Sequence, residues 1–314
     1  MVQTEVILDE RIFTVNCALN LCEHDRGIEG KPLPITKRVR KKLQEKKIRN
    51  KKEICEKINS YPISHLKSFS AYLSNPPELK LEKKPPGITN YMEEIYRNIK
   101  GIEKELRTIY KEADLSEIWE ENKETYQKYR EIFENSIDKY KPVERLIDFL
   151  QIDTDLEKIQ CAPAVLERMS LGVPVSEEEA FMIIGVPGNE SESGFSFGLR
   201  HELIHLFLKP FIQENEELIQ QSAWRREEAP DKHFYQSWRV YLEEIIARVI
   251  GVHLYHSDLD QRRKQIKNLK EKKGFVHSEL ISKEISRYED KDESFEEFLP
   301  EILEKLAQKE KQFV

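Results

Sequence analysis

Phe195–Pro210 reads FSFGLRHELIHLFLKP. No proline interrupts it before Pro210, and Leu199, Leu203, Ile204, Leu206 and Phe207 surround a polar triplet. This is the pattern of a helix lying beneath a cleft; a surface helix would carry charges at those places. Residues four apart on a helix share one face, one turn above the other, so His201 and His205 aim two imidazoles at one point. Zinc accepts neutral imidazole nitrogens at about 2.0–2.1 Å, and a catalytic site keeps one position for water. Glu202, next to the first histidine, is placed to take a proton from the attacking water and pass it to a leaving group.

Two histidines leave a third ligand to be found. A carboxylate from a later helix is one solution. The segment WRVYLEEIIAR, Trp238–Arg248, offers Glu243 and Glu244. Adjacent helix positions diverge by about 100°, so only one of them is expected to face the metal. Leu242, Ile245, Ile246 and Val249 mark the buried side, and both acids border it. An oxyanion that develops in a tetrahedral transition state needs a donor across the cleft. His233, Tyr235 and Tyr241 lie between or within the two segments, and Tyr235 is the preferred candidate. His253 and His256 follow the acids and read as surface or supporting residues.

Upstream of the helix, Ile159–Ala162 and Ala180–Val186 are short apolar runs bounded by turn residues, and both read as strands. The second is expected to be an edge strand, open to the cleft, with Asn189 nearby. Extended peptides bind such edges by adding a strand. Nearer the N-terminus, Glu5–Leu8 reads as a short strand and Asp9 as the cap of a helix through Cys22. A charged helix is expected from about Thr36 to Ser60. Two amphipathic helices follow, at about Thr89–Ala113 and Ser116–Gln151, with Tyr126, Tyr129, Ile132 and Phe133 on one packing stripe. The expected architecture is α+β, mostly α, with a large N-terminal helical portion (1–150) and a second domain (151–314) that carries a small sheet and the histidine helix.

Hydrophobic residues make up 39% and charged residues 35% of the 314 residues, a soluble globular balance. The net charge of −7 argues against sequence-independent binding to nucleic acid, which needs a cationic surface. The basic run KRVRKKLQEKKIRNKK, Lys37–Lys52, reads as a solvated helix face. Cys17, Cys22, Cys55 and Cys161 contain no CxxC pair, and Cys17 and Cys22 read as core thiols. There is no basic start followed by an apolar stretch, and no run long enough to span a bilayer. The expectation is a cytoplasmic protein with reduced thiols.

The region resembles the gluzincin branch of the zincin metallopeptidases. More narrowly, AFMIIGVPG, FGLRHELIHLFLKP, WRVYLEEIIARVI, the late SFEEFLPEILEKL and the early LDERIFTVNCALNL resemble a bacterial and archaeal family catalogued as domain of unknown function 4932. The metzincin branch is excluded, because Leu208 and Phe211 stand where it needs Gly and His. The ExxA spacing of glutamate zincins points to Glu244 as the third ligand, with Glu243 second, and to Arg248 as a basic residue one turn on. The resemblance implies one Zn2+ per chain, held by His201, His205 and Glu244. It also implies hydrolysis of peptide bonds in a peptide or unfolded protein, with Glu202 as general base. The alternative is a non-catalytic zincin-like scaffold that binds a protein or nucleic-acid partner.

Overall fold

The computed structural model describes residues 2–24, 32–82, 99, 101–186, 192–221 and 237–311. The chain forms two compact units, Met1–Lys141 with Asp155–Glu202, and Pro142–Thr154 with Leu203–Val314. The division does not follow a single cut near 150. The strands pack with the N-terminal helices, and the boundary passes through one continuous helix. The architecture is α+β and mostly helical, with a small mixed sheet.

In the first unit, strand β1 (Gln3–Val6) leads into helix α1 (Glu10–Leu21). Asp9 caps α1, its carboxylate accepting from the backbone N–H groups of Arg11 and Ile12 at 2.8 and 3.2 Å. Every residue from Ile12 to Leu21 is buried, so α1 is a core helix on all sides. The expected charged helix is two helices, α2 (Pro34–Glu45) and α3 (Lys51–Asn59). The first ends where Lys46 turns extended, ψ 139°, and the second begins after Asn50, which takes a left-handed conformation, φ 55°. Three of the ten cations in the basic run pair with acids of later helices. Lys42 pairs with Glu121, Lys46 with Asp114 at 2.7 Å, and Arg49 with Glu112 at 2.5 Å. Helix α4 (Ile63–Ser70) follows. The start of the next expected helix falls outside the described residues, and its end is α5 (Glu103–Glu112). Helix α6 (Leu115–Tyr140) stops at Lys141, φ 41°. The expected single helix to Gln151 therefore breaks, and Pro142 opens α7 (Pro142–Leu150) in the second unit.

The sheet holds β1, β2 (Lys158–Ala164), β3 (Leu171–Pro174) and β4 (Glu179–Gly185) in the order β1-β2-β4-β3. The first three neighbours run parallel, and β3 runs antiparallel on β4. The expectation that Ala180–Val186 forms an open edge is therefore wrong. β4 lies between β2 and β3, and its run AFMIIG is buried throughout. Continuous apolar strands belong inside parallel sheets covered on both faces, whereas an open edge strand alternates. The edge on that side is β3, which was not expected from sequence. One face of the sheet packs Phe181, Ile183, Ala162 and Val173 against Ile12 and Tyr72.

The turn between β2 and β3 is fixed by a buried ion pair. Lys67 of α4 places Nζ 2.6 Å from Glu167 Oε2, with both side chains fully buried, and also donates to the carbonyl of Met169 at 2.5 Å. Glu167 accepts further from the backbone N–H groups of Arg168 and Met169 at 3.1 Å. Removing one partner of such a pair leaves an uncompensated charge, at a cost of about 3–5 kcal/mol. Gly185 packs on this turn so closely that an added Cβ would lie 2.1 Å from the Arg168 carbonyl carbon.

Cys22 is not a free core thiol as expected. It forms a disulfide with Cys55, Cα atoms 4.9 Å apart, tying the end of α1 to α3; Cys17 and Cys161 are free and buried. The two cysteines are 33 residues apart, and no spacing rule links them.

The second unit is helical. Helices α8 (Glu192–Glu214, from Leu203 onward) and α9 (Glu216–Gln221) precede α10 (Trp238–Tyr255), α11 (Leu259–Lys273), α12 (Ser278–Tyr288) and α13 (Phe295–Lys311). His253 is buried near the end of α10. Its Nε2 lies 2.8 Å from Ser282 Oγ and its Nδ1 3.2 Å from Glu289 Oε2, and Arg262 also donates to Glu289 at 2.8 Å. His253 thus pins three helices together. No helix among the described residues is long and apolar enough to cross a membrane.

Candidate metal centre

Helix α8 forms as its sequence requires. Phe195, Leu199, Leu203, Ile204, Phe207, Leu208 and Ile212 are buried, and His201, Glu202 and His205 are half-buried along the remaining face. The sheet fixes the helix at two close contacts. A Cβ on Gly198 would lie 3.1 Å from Ser170 Oγ, and one on Gly172 of β3 would lie 3.3 Å from the Glu202 carbonyl oxygen. Strand β3 therefore runs directly against the turn that carries Glu202.

Ser237 caps α10, its hydroxyl accepting from the Val240 N–H at 3.3 Å. Tyr241, Leu242, Ile245, Ile246, Val249 and Ile250 are buried, which leaves Glu243 and Glu244 half-buried at the margin. Both acids reach the same imidazole. His205 Nδ1 is 2.7 Å from Glu243 Oε1, and His205 Nε2 is 3.1 Å from Glu244 Oε2. The two carboxylates straddle His205, but only Glu244 groups with both histidines. Their parts differ. Ligand atoms of His201, His205 and Glu244 all lie within 4.8 Å of one another, a spacing that suits one ion. Glu243 stands behind, on the ring nitrogen turned away from that point.

The other oxygen of Glu244 is taken. Arg248 Nη2 lies 2.5 Å from Glu244 Oε1, and the guanidinium sits over the Phe275 ring, 5.2 Å from its centre. Glu-to-Arg at i,i+4 is a readable helix pair, so the sequence carried this signal. The charges settle one another. Burial would lower the His205 pKa, but the hydrogen bonds and charges of Glu243 and Glu244 push it up to about 9. Burial would raise Glu243, but the His205 bond and the positive charges of Lys209, His205 and Arg239 hold it below the ordinary carboxylate range. Among the described residues Glu202 carries no ion pair.

The preferred oxyanion donor, Tyr235, lies outside the described residues, as do His233 and Asn189. Tyr241 is not at the centre. It is buried, its hydroxyl 3.3 Å from His277 Nδ1, among the rings of Trp238 and Phe275. Two imidazoles and a carboxylate form a donor set that zinc accepts, and a tetrahedral ion would keep a fourth position. The residues present fit a zinc ion. No family model, curated protein or solved structure matches the chain.

Proposed function

We propose that the chain is a zinc-dependent hydrolase of peptide bonds, a member in kind of the zincins. The observation that carries this reading is the convergence of His201, His205 and Glu244, with Glu202 one residue after the first histidine. Zinc held by these three residues would supply a Lewis acid that activates water and polarises a carbonyl. Glu202 takes the proton of the attacking water and delivers it to the leaving amine. Glu243 orients His205 from Nδ1 and leaves Nε2 toward the metal point. The edge of β3, beside the Glu202 turn, suits an extended substrate that adds a strand.

A second reading, a non-catalytic scaffold, draws support from the same ion pairs, because a protonated His205 is satisfied by Glu243 and Glu244 without any metal. One experiment separates the two. Zinc content and hydrolysis of unstructured peptides are measured on the wild type and on Glu202→Gln. The hydrolase reading expects about one zinc per chain in both and turnover only in the wild type. Equal turnover, or no zinc uptake, defeats it.

A further inference from the structure

Phe197 is 60% exposed, an unusual place for an aromatic ring in a chain that buries Phe195 two residues earlier. Isolated exposed apolar residues are ordinary on protein surfaces, so exposure alone means little. Position gives it meaning. Phe197, His201 and His205 are spaced four apart and share one face of α8. The Phe197 ring stands parallel to the His201 imidazole, planes 5° apart and centroids 6.1 Å apart.

The opposite side of the helix explains why the ring stays out. Phe195 packs on Tyr129 and Phe133, with ring centroids at 5.5 and 4.7 Å. Gly198 leaves room for only a bare Cα against Ser170. Those contacts fix the roll of the helix, and Phe197 is left on the solvent side with the histidines. In the second unit Val240, 46% exposed, likewise stands one turn before a candidate ligand, Glu244.

We infer that Phe197 is a specificity-determining residue, and that the substrates are peptides with a large apolar side chain beside the bond that is cut. The inference rests on the hydrolase reading. A ring next to the ligand histidine presents apolar surface where a substrate side chain adjoining the scissile bond must pass, and a polar side chain gains nothing there. Discrimination of this kind, built on apolar contact alone, is worth about tenfold or somewhat more.

The test is affinity selection on the full-length Glu202→Gln protein loaded with zinc, which binds without turnover. The probes are two pools of acetylated, amidated hexapeptides, one with Leu or Phe fixed at the two central positions and one with Ser or Gly there. Retention is read by mass spectrometry. The expected result is about tenfold enrichment of the apolar pool. Adding Phe197→Ala abolishes the enrichment, and Phe197→Leu keeps most of it. Equal retention of the two pools, no retention of either, or undiminished enrichment in Phe197→Ala overturns the inference. Thermal unfolding of each variant guards against misfolding, which is not expected at so exposed a position. Zinc content of the same samples is measured separately. A protein that takes up no zinc defeats the hydrolase reading and the inference with it, whereas a zinc-loaded protein that retains the two pools equally defeats the inference alone.

Discussion

Glu243 Oε1 lies 2.7 Å from His205 Nδ1, on the side of the imidazole away from Glu244. A carboxylate in that position fixes the tautomer and ring orientation of a ligand histidine. Glu243→Ala is therefore expected to weaken zinc binding by about 10–100-fold, and Glu243→Gln, which keeps an acceptor, by less. Competition against a chelator of known affinity measures this. Unchanged affinity in Glu243→Ala would show that His205 is held some other way.

Zinc binding should depend on pH through the same ring. With His205 pushed up to about 9 by its two carboxylates, the imidazole carries a proton at neutral pH, and the metal must displace it. Apparent affinity then rises about tenfold per pH unit up to about 9 and levels off above. Calorimetry in buffers of different ionisation enthalpy counts the released proton. A flat profile between pH 6 and 8 would mean that His205 is already neutral.

How much of this was legible in the sequence differs from element to element. The histidine helix was readable because a metal face and a buried face impose a spacing that Leu199, Leu203, Ile204 and Phe207 keep. The cap at Asp9 was readable because it acts over three residues. Strand β3 was not, because four residues of LGVP carry no period, and its place follows from pairing with β4. The order of the strands is likewise non-local. The shared hold of Glu243 and Glu244 on His205 is not legible in the sequence, because angular separation on one helix says nothing of a partner that fits between two side chains.

His253 gives a second pH dependence, on stability. Burial lowers its pKa, and the charge of Arg262 acts in the same direction against the opposing pull of Glu289. The unfolded chain, with an ordinary histidine pKa of about 6.5, takes up the proton first on acidification. Stability is therefore full above that value and declines as pH falls through the lower folded pKa. Chemical denaturation at pH 7.5, 6.5 and 5.5 should show the decline, and His253→Gln should flatten it. The same slope in the variant would assign the acid sensitivity to other groups.

The Cys22–Cys55 disulfide closes a separation of 33 residues. Constraint of the unfolded chain over that length contributes about 3–4 kcal/mol. Thiol titration in denaturant should find Cys17 and Cys161 alone before reduction, and all 4 cysteines after it. Cys55→Ser should unfold at lower denaturant by a corresponding amount. Four reactive thiols in protein prepared without reductant would rule the bridge out.

The buried pair of Lys67 and Glu167 has a consequence for inheritance. The two positions lie 100 residues apart, one on α4 and one in the turn before β3, yet neither charge survives burial without the other. A descendant that loses one charge by a single substitution passes through a chain too unstable to keep. The pair is therefore expected to persist together or to vanish together, exchanged for two apolar residues of matching volume. Related chains, when they are compared, should show the two positions changing as a unit.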